Sequence, residues 1–176
     1  MPPADCRRGV FLVGFMGAGK TSVGRNLGRL LGWKFEDLDD RIQDATGRPV
    51  AEIFRDSGEP EFRRLENVAL RQLLGELTAG PRVVALGGGA FAQAENVALL
   101  ESSGAYVIFL DGSAEELFRR CELEHRERPL LRDAKSFREL YEQRRPSYLK
   151  ASCRIDTTST DVDGIAAAVA RRIGVK

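Results

Sequence analysis

Residues 14–21 read GFMGAGKT, directly after the apolar run VFLV and directly before an amphipathic stretch. The pattern is G-x-x-x-x-G-K-[ST]. A loop of this kind turns its backbone N–H groups onto a phosphate while the N-terminus of the following helix points at the same anion. Gly14, Gly17 and Gly19 permit backbone angles and a closeness of approach that side chains would block. Gly17, Ala18, Gly19, Lys20, Thr21 and Ser22 are thus the expected cradle for a nucleotide's phosphates. Lys20 would reach the β- and γ-phosphates, and the Thr21 hydroxyl would ligate Mg²⁺. A plain glycine-rich turn between strand and helix is the alternative. The loop names a phosphoryl donor and says nothing about the acceptor.

Along the rest of the chain, short apolar strands alternate with helical patterns. Strands are predicted at 10–14, 34–36, 83–86, 106–110 and 154–156, with helices at 20–31, 60–77, 114–122, 137–150 and 162–173. In the second helix Phe62, Leu65, Val68, Ala69, Leu73 and Leu77 recur at helical spacing. Apolar strands alternating with helices predict one α/β domain, a parallel sheet covered on both faces. The chain contains no internal repeat and no linker, and residues 1–9 are expected to fray. Ligands of such sheets sit outside the carboxyl ends of the strands. The phosphate loop follows the first strand, Asp37 and Asp39 the second, and Gly87, Gly88 and Gly89 the third.

Composition narrows the partners. Among 176 residues, 27 Lys and Arg almost balance 26 Asp and Glu, which argues against a broad nucleic-acid-binding face. No apolar run is long enough to span a bilayer, and the first residues lack a signal-peptide hydrophobic region. Cys6, Cys121 and Cys153 form no C-x-x-C pair and suit free thiols in a reducing cytoplasm. With a single histidine, His125, and no Cys/His cluster, no zinc site is expected, and the general base is expected to be a carboxylate.

Four stretches describe the acceptor. In DLD, Asp37 and Asp39 stand two apart at a strand end, where one can hold Mg²⁺ through water and the other address the attacking hydroxyl. Capping of the next helix is the competing role. In EFRRLE, Arg64 reads as solvated, whereas Arg63, oriented by Glu66, can grip a small carboxylate bidentately with Arg144 as second arm. Two arginines on one anion mean an acidic acceptor. The triplet at 87–89 suggests backbone pressed against a ligand ring. Arg128, in the charge-rich segment ELEHRERPLLRD, is either solvated or carried by a mobile lid at about 121–133 onto the transferring phosphoryl group. His125, in the same segment, reads as exposed and uninvolved.

Taken together, GFMGAGKT, DLDDRIQDATGRPVAEIF, GEPEFRRLE, LGGGAF, RPLL and R-x-P-x-Y resemble the shikimate kinase family, in the family's order and over residues 10–173. The resemblance implies ATP-dependent phosphorylation of the shikimate 3-hydroxyl on the route to chorismate and the aromatic amino acids. It implies a three-layer α-β-α P-loop kinase, nucleoside-monophosphate-kinase-like, with a five-stranded parallel sheet of order 2-3-1-4-5 and a closing lid, acting as a cytoplasmic monomer. By motif, Thr21 resembles the direct Mg²⁺ ligand and Asp37 the water-mediated one. Asp39 resembles the aspartate that orients the acceptor hydroxyl, and Arg63 and Arg144 the carboxylate pair, with Gly87, Gly88 and Gly89 beside the ring. Val50, Phe54 and Phe62 are similar to the pocket's apolar wall, a role compatible with core packing. Arg128 resembles the lid arginine on the ATP phosphates and Arg120 the one stacked on adenine. Two stretches depart from the family pattern: CELEHRE lacks the small, glycine-containing lid, and IDTTSTDVDG lacks an arginine near the adenine, where the backbone at 158–160 can substitute. Two rivals stay open: a kinase for gluconate or a nucleoside monophosphate, and a non-catalytic nucleotide-binding module. The DLD–EFRR–GGG set argues against the first. The presence of Lys20, Asp39 and both acceptor arginines argues against the second.

Overall fold

The computed structural model describes residues 9–124 and 133–174. In chain order the elements are β1 (Gly9–Val13), α1 (Lys20–Leu31), β2 (Lys34–Asp37), α2 (Leu38–Thr46), α3 (Val50–Glu76), β3 (Arg82–Ala85), α4 (Ala94–Ser102), β4 (Tyr106–Asp111), α5 (Ala114–Leu123), α6 (Ala134–Tyr148), β5 (Cys153–Asp156) and α7 (Val162–Arg172). All five strands pair in parallel, in the order β2-β3-β1-β4-β5, as the family resemblance implies. Gly9 departs from the expected frayed start. It is buried, pairs with Arg82 and opens β1.

The central strand explains the layering. Every residue of β1 is buried, so its apolar side chains need cover above and below the sheet. On one side α1 lies so close that a Cβ at Gly24 would overlap the Phe35 ring of β2. On the other, Phe15, just after β1, meets Phe137 and Tyr141 of α6 edge-on, with ring centroids 4.9 and 5.6 Å away. Each such buried ring contributes about 2 kcal/mol through area removed from water. Asp111, 5 % exposed at the end of β4, accepts from Arg145 and Arg154 at 2.8 Å each and so ties α6 and β5 to the sheet. These contacts set the position from which α6 reaches the cavity.

The helix expected to begin at Pro60 proves to be the second half of α3. The two halves meet at Gly58, whose φ of 81° and ψ of 169° break the helix, and Pro60 restarts it in the first turn, where a missing N–H costs nothing. The first half is short and hides only Ile53 completely, too little to produce a readable period. In α4 one of the two buried positions is polar, Asn96, which erases the apolar stripe.

Candidate functional site

The P-loop arrives from β1 and starts α1 at Lys20, with Gly19 as its N-cap at φ 84° and no side chain closing the helix end. Gly17 has φ 80°, and a Cβ there would stand 2.6 Å from the Leu117 carbonyl oxygen of α5. Glycine at 17 is therefore demanded by backbone conformation and by packing at once. Lys20 Nζ lies along the loop and donates to the carbonyl oxygens of Gly14 at 2.8 Å and Phe15 at 3.0 Å. Ala18 is buried beneath the loop and Ser22 stands exposed at its rim.

At the end of β2 both readings of Asp37 hold. One carboxylate oxygen accepts from the Thr21 hydroxyl at 2.7 Å, and the other caps α2 by accepting from the Asp39 N–H at 3.0 Å. The cap fixes where Asp39 goes: into the first turn of α2, beside Lys20 and Arg63. Asp39 Oδ1 is fully enclosed and has no hydrogen-bond partner among the described residues. Burial first, and then the charge of Asp37, push its pKa up to about 6, while Lys20 and Arg63 pull the other way. An enclosed oxygen without a donor is costly; Asp39 itself borders a cavity.

Arg63 and Glu66 project from the second half of α3. Glu66 is 0 % exposed and accepts from Arg63 Nη1 at 3.0 and 3.2 Å. Burial drives its carboxyl up to about 7 despite the opposing charge of Arg63. The other edge of the guanidinium, Nε and Nη2, donates to Glu59 Oε1 at 3.2 and 3.0 Å. The Arg63 guanidinium lies over Phe62 and Phe54, 5.2 and 6.0 Å from the ring centroids, so these apolar residues serve packing and site together. Arg144 enters from α6, 8 % exposed, 5.9 Å over the Phe15 ring, and hydrogen-bonded to the Tyr148 hydroxyl. Among the described residues it forms no ion pair, and burial holds its pKa below the usual arginine range.

The glycine triplet after β3 is also hemmed in by the protein's own side chains. A Cβ at Gly87 would stand 2.8 Å from Asp39 Oδ1 and 3.2 Å from Glu66 Oε2; one at Gly89 would overlap the Arg63 guanidinium. Those two glycines make room for the protein's own carboxylates and arginine. Only Gly88 would accept a Cβ without crowding, with Arg144 and Met16 in ordinary contact at 3.7 Å. Its carbonyl oxygen accepts from the Tyr148 hydroxyl. Tyr148 went unread in the sequence although R-x-P-x-Y places it four residues after Arg144, on the same helix face.

The P-loop, Asp37, Asp39, Arg63, Glu66, the glycine triplet and Arg144 line one cavity of about 740 Å³, with Val50, Phe54 and Phe62 as its apolar side. Arg120 stands at the rim on α5, bonded to Glu116 at 3.1 Å and reaching the Gly17 carbonyl oxygen at 3.5 Å and that of Thr157 at 3.4 Å. It thus bridges the P-loop and the turn after β5, where Ser159 holds a φ of 56°. Arg128 and His125 lie outside the described residues. Cys121, assigned by sequence to the start of the lid, is buried in the last turns of α5.

A P-loop whose helix end and lysine open into a pocket shared by Asp39 and two guanidinium groups, on a 2-3-1-4-5 sheet, defines a small-molecule phosphotransferase. The family model "Shikimate kinase" matches residues 16–174. The shikimate kinase of Persephonella marina is 41 % identical over 151 residues, 85 % of this chain and 89 % of that protein. That of Geobacter metallireducens is 41 % identical over 165 residues, 92 % and 89 %. The solved shikimate kinase of Acinetobacter baumannii, in complex with shikimate, superposes with a TM-score of 0.88 at 35 % identity, covering 95 % of this chain and 93 % of that one. The chain belongs to the shikimate kinase family.

Proposed function

We propose that this chain transfers the γ-phosphoryl group of ATP to the 3-hydroxyl of shikimate, giving ADP and shikimate 3-phosphate for chorismate and aromatic amino acid synthesis. The observation that carries the reading is the sharing of one cavity by the P-loop lysine, Asp39 and the two arginines. Arg63 and Arg144 receive the acceptor's carboxylate, and the Gly88 backbone with Val50, Phe54 and Phe62 receives its ring. That places the 3-hydroxyl toward Asp39, which aligns it and takes its proton as the oxygen attacks phosphorus. Lys20 exchanges its loop carbonyls for β- and γ-phosphate oxygens and, with Arg128, offsets the charge that develops on them. Arg120 borders the adenine, with the backbone near Thr157 beside it.

The donor set at the foot of the P-loop suits Mg²⁺. The Thr21 hydroxyl and Asp37 carboxylate are hard oxygen donors 2.7 Å apart. Among the described residues no group of three or more His, Cys, Asp or Glu forms a metal cage. An ion that keeps several waters and takes its remaining ligands from phosphate fits such a site, with Thr21 binding directly and Asp37 through water. When bound, it would supply positive charge that offsets the charge of the phosphates. We place the enzyme in the cytoplasm as a monomer that needs neither nucleic acid nor membrane. Cys121 and Cys153, buried and in no disulfide among the described residues, and the near-neutral charge support this. Among the described residues no helix is long and apolar enough to cross a membrane.

ADP release from purified protein tests the reading, with and without shikimate and against gluconate, quinate and nucleoside monophosphates. Strong stimulation by shikimate alone, abolished by a Mg²⁺ chelator, is the expected result; stimulation by another acid would overturn the acceptor assignment. A subtler probe is Gly89→Ala. The added methyl must displace the Arg63 guanidinium, an overpacking of about 1–3 kcal/mol. The KM for shikimate should rise about tenfold or more, with the KM for ATP unchanged. Equal change in both would place the damage in the fold.

A further inference from the structure

Arg63 carries two carboxylates of its own, and they are not equivalent. Glu66 is completely buried and holds Nη1; removing it from that contact would strand a charge in the interior. Glu59 has a side chain 48 % exposed and holds the edge formed by Nε and Nη2. That edge is one of the two by which a guanidinium reads a carboxylate with parallel hydrogen bonds. The charge of Glu59 also acts on Arg144, raising its pKa against the effect of burial, so the carboxylate stands in the field of both arginines. Its place is set by the backbone, because Glu59 directly follows the helix break at Gly58.

We propose that Glu59 is a placeholder, a carboxylate that occupies Arg63 until the acceptor's own carboxylate displaces it into water. This rests on the reading of Arg63 and Arg144 as the acceptor's carboxylate site. The exchange is cheap because the Glu59 side chain is already 48 % exposed and passes into water, while Arg63 keeps a carboxylate partner throughout. A neutral acceptor offers Arg63 nothing in return, so Glu59 stays paired and does not compete with such a molecule. Glu59 thus costs the acidic substrate some affinity and keeps Arg63 paired while no acceptor carboxylate is bound.

The test is calorimetric binding of shikimate and of its neutral methyl ester to the intact protein and to Glu59→Gln, with melting temperatures recorded to confirm folding. The variant should bind shikimate about two- to fivefold more tightly, the factor equivalent to the loss of a competing interaction of up to about 1 kcal/mol. Its affinity for the ester should stay the same, a split that a purely structural role would not produce. Weaker or unchanged binding of shikimate would overturn the placeholder and leave Glu59 as a support for Arg63. Arg144→Ala, measured in parallel, separates the two levels of the argument. If that variant keeps full affinity for shikimate, the carboxylate site itself is misassigned; if it loses affinity while Glu59→Gln gains none, only the placeholder fails.

Discussion

Replacing Arg144 with alanine is expected to lower kcat/KM for shikimate by two to three orders of magnitude, with the affinity for ATP within about twofold of the parent. The side chain is 8 % exposed, lies over Phe15 and bonds to Tyr148, and among the described residues no carboxylate pairs with it. A buried cation in that position has its counter-charge still to come. Loss of one partner from a buried charge pair costs about 2–5 kcal/mol, which spans the expected effect. Steady-state kinetics with each substrate varied, and nucleotide binding measured separately, would check it. Unchanged affinity for shikimate would sink the two-armed reading of the pocket. Arg63→Ala should likewise abolish turnover while leaving ATP binding largely intact, but with a second consequence. It leaves Glu66 buried beside Asp39 without its cation, so the melting temperature should fall more than for Arg144→Ala. Loss of ATP binding as well would show that Arg63 mainly supports the fold.

Asp39→Asn should reduce kcat by about 10²- to 10⁴-fold, the range for removing a positioned general base, with a much smaller change in shikimate affinity. Its stability should move the other way. The folded-state pKa of Asp39 is raised from 3.8 to about 6. The folded protein therefore binds more protons than the unfolded chain across that interval, and the carboxylate weighs against folding increasingly as pH rises from about 4 through 6. Asparagine carries no such charge, so at neutral pH the variant should melt no lower than the parent. Rapid-quench measurement of the chemical step and a melting curve at pH 7.5 would test both halves. A variant with near-parental kcat would remove Asp39 from the chemistry.

Some of this site was legible in the sequence and some was not, according to whether its contacts are local. The P-loop was, because its requirements are met by neighbours: positive φ at Gly17 and Gly19, a lysine at the helix start, a hydroxyl one residue on. Asp37 and Asp39 were, because a cap and the residue two beyond it are placed by the same turn of chain. α2 was foreshadowed only by its N-cap, whereas the first half of α3 and all of α4 were hidden by short length and a buried polar position. The glycine triplet was noticed for close approach to a ligand ring; the structure adds that groups from α2 and α3 crowd Gly87 and Gly89.

The sequence by itself determined the parallel α/β architecture, the phosphate site and the acidic pair that faces it, because each depends on contacts among residues a few positions apart. It also marked Arg63 and Arg144 as candidates, through motifs. Only the tertiary structure decided that the two arginines meet at one cavity, that Glu66 is buried while Glu59 is exposed, and that Tyr148 anchors Gly88. Those relations depend on the order in which the strands pair and on Phe15 drawing α6 against the sheet. Burial and charge coupling between distant segments arise only when the chain has closed on itself, and no local pattern encodes them.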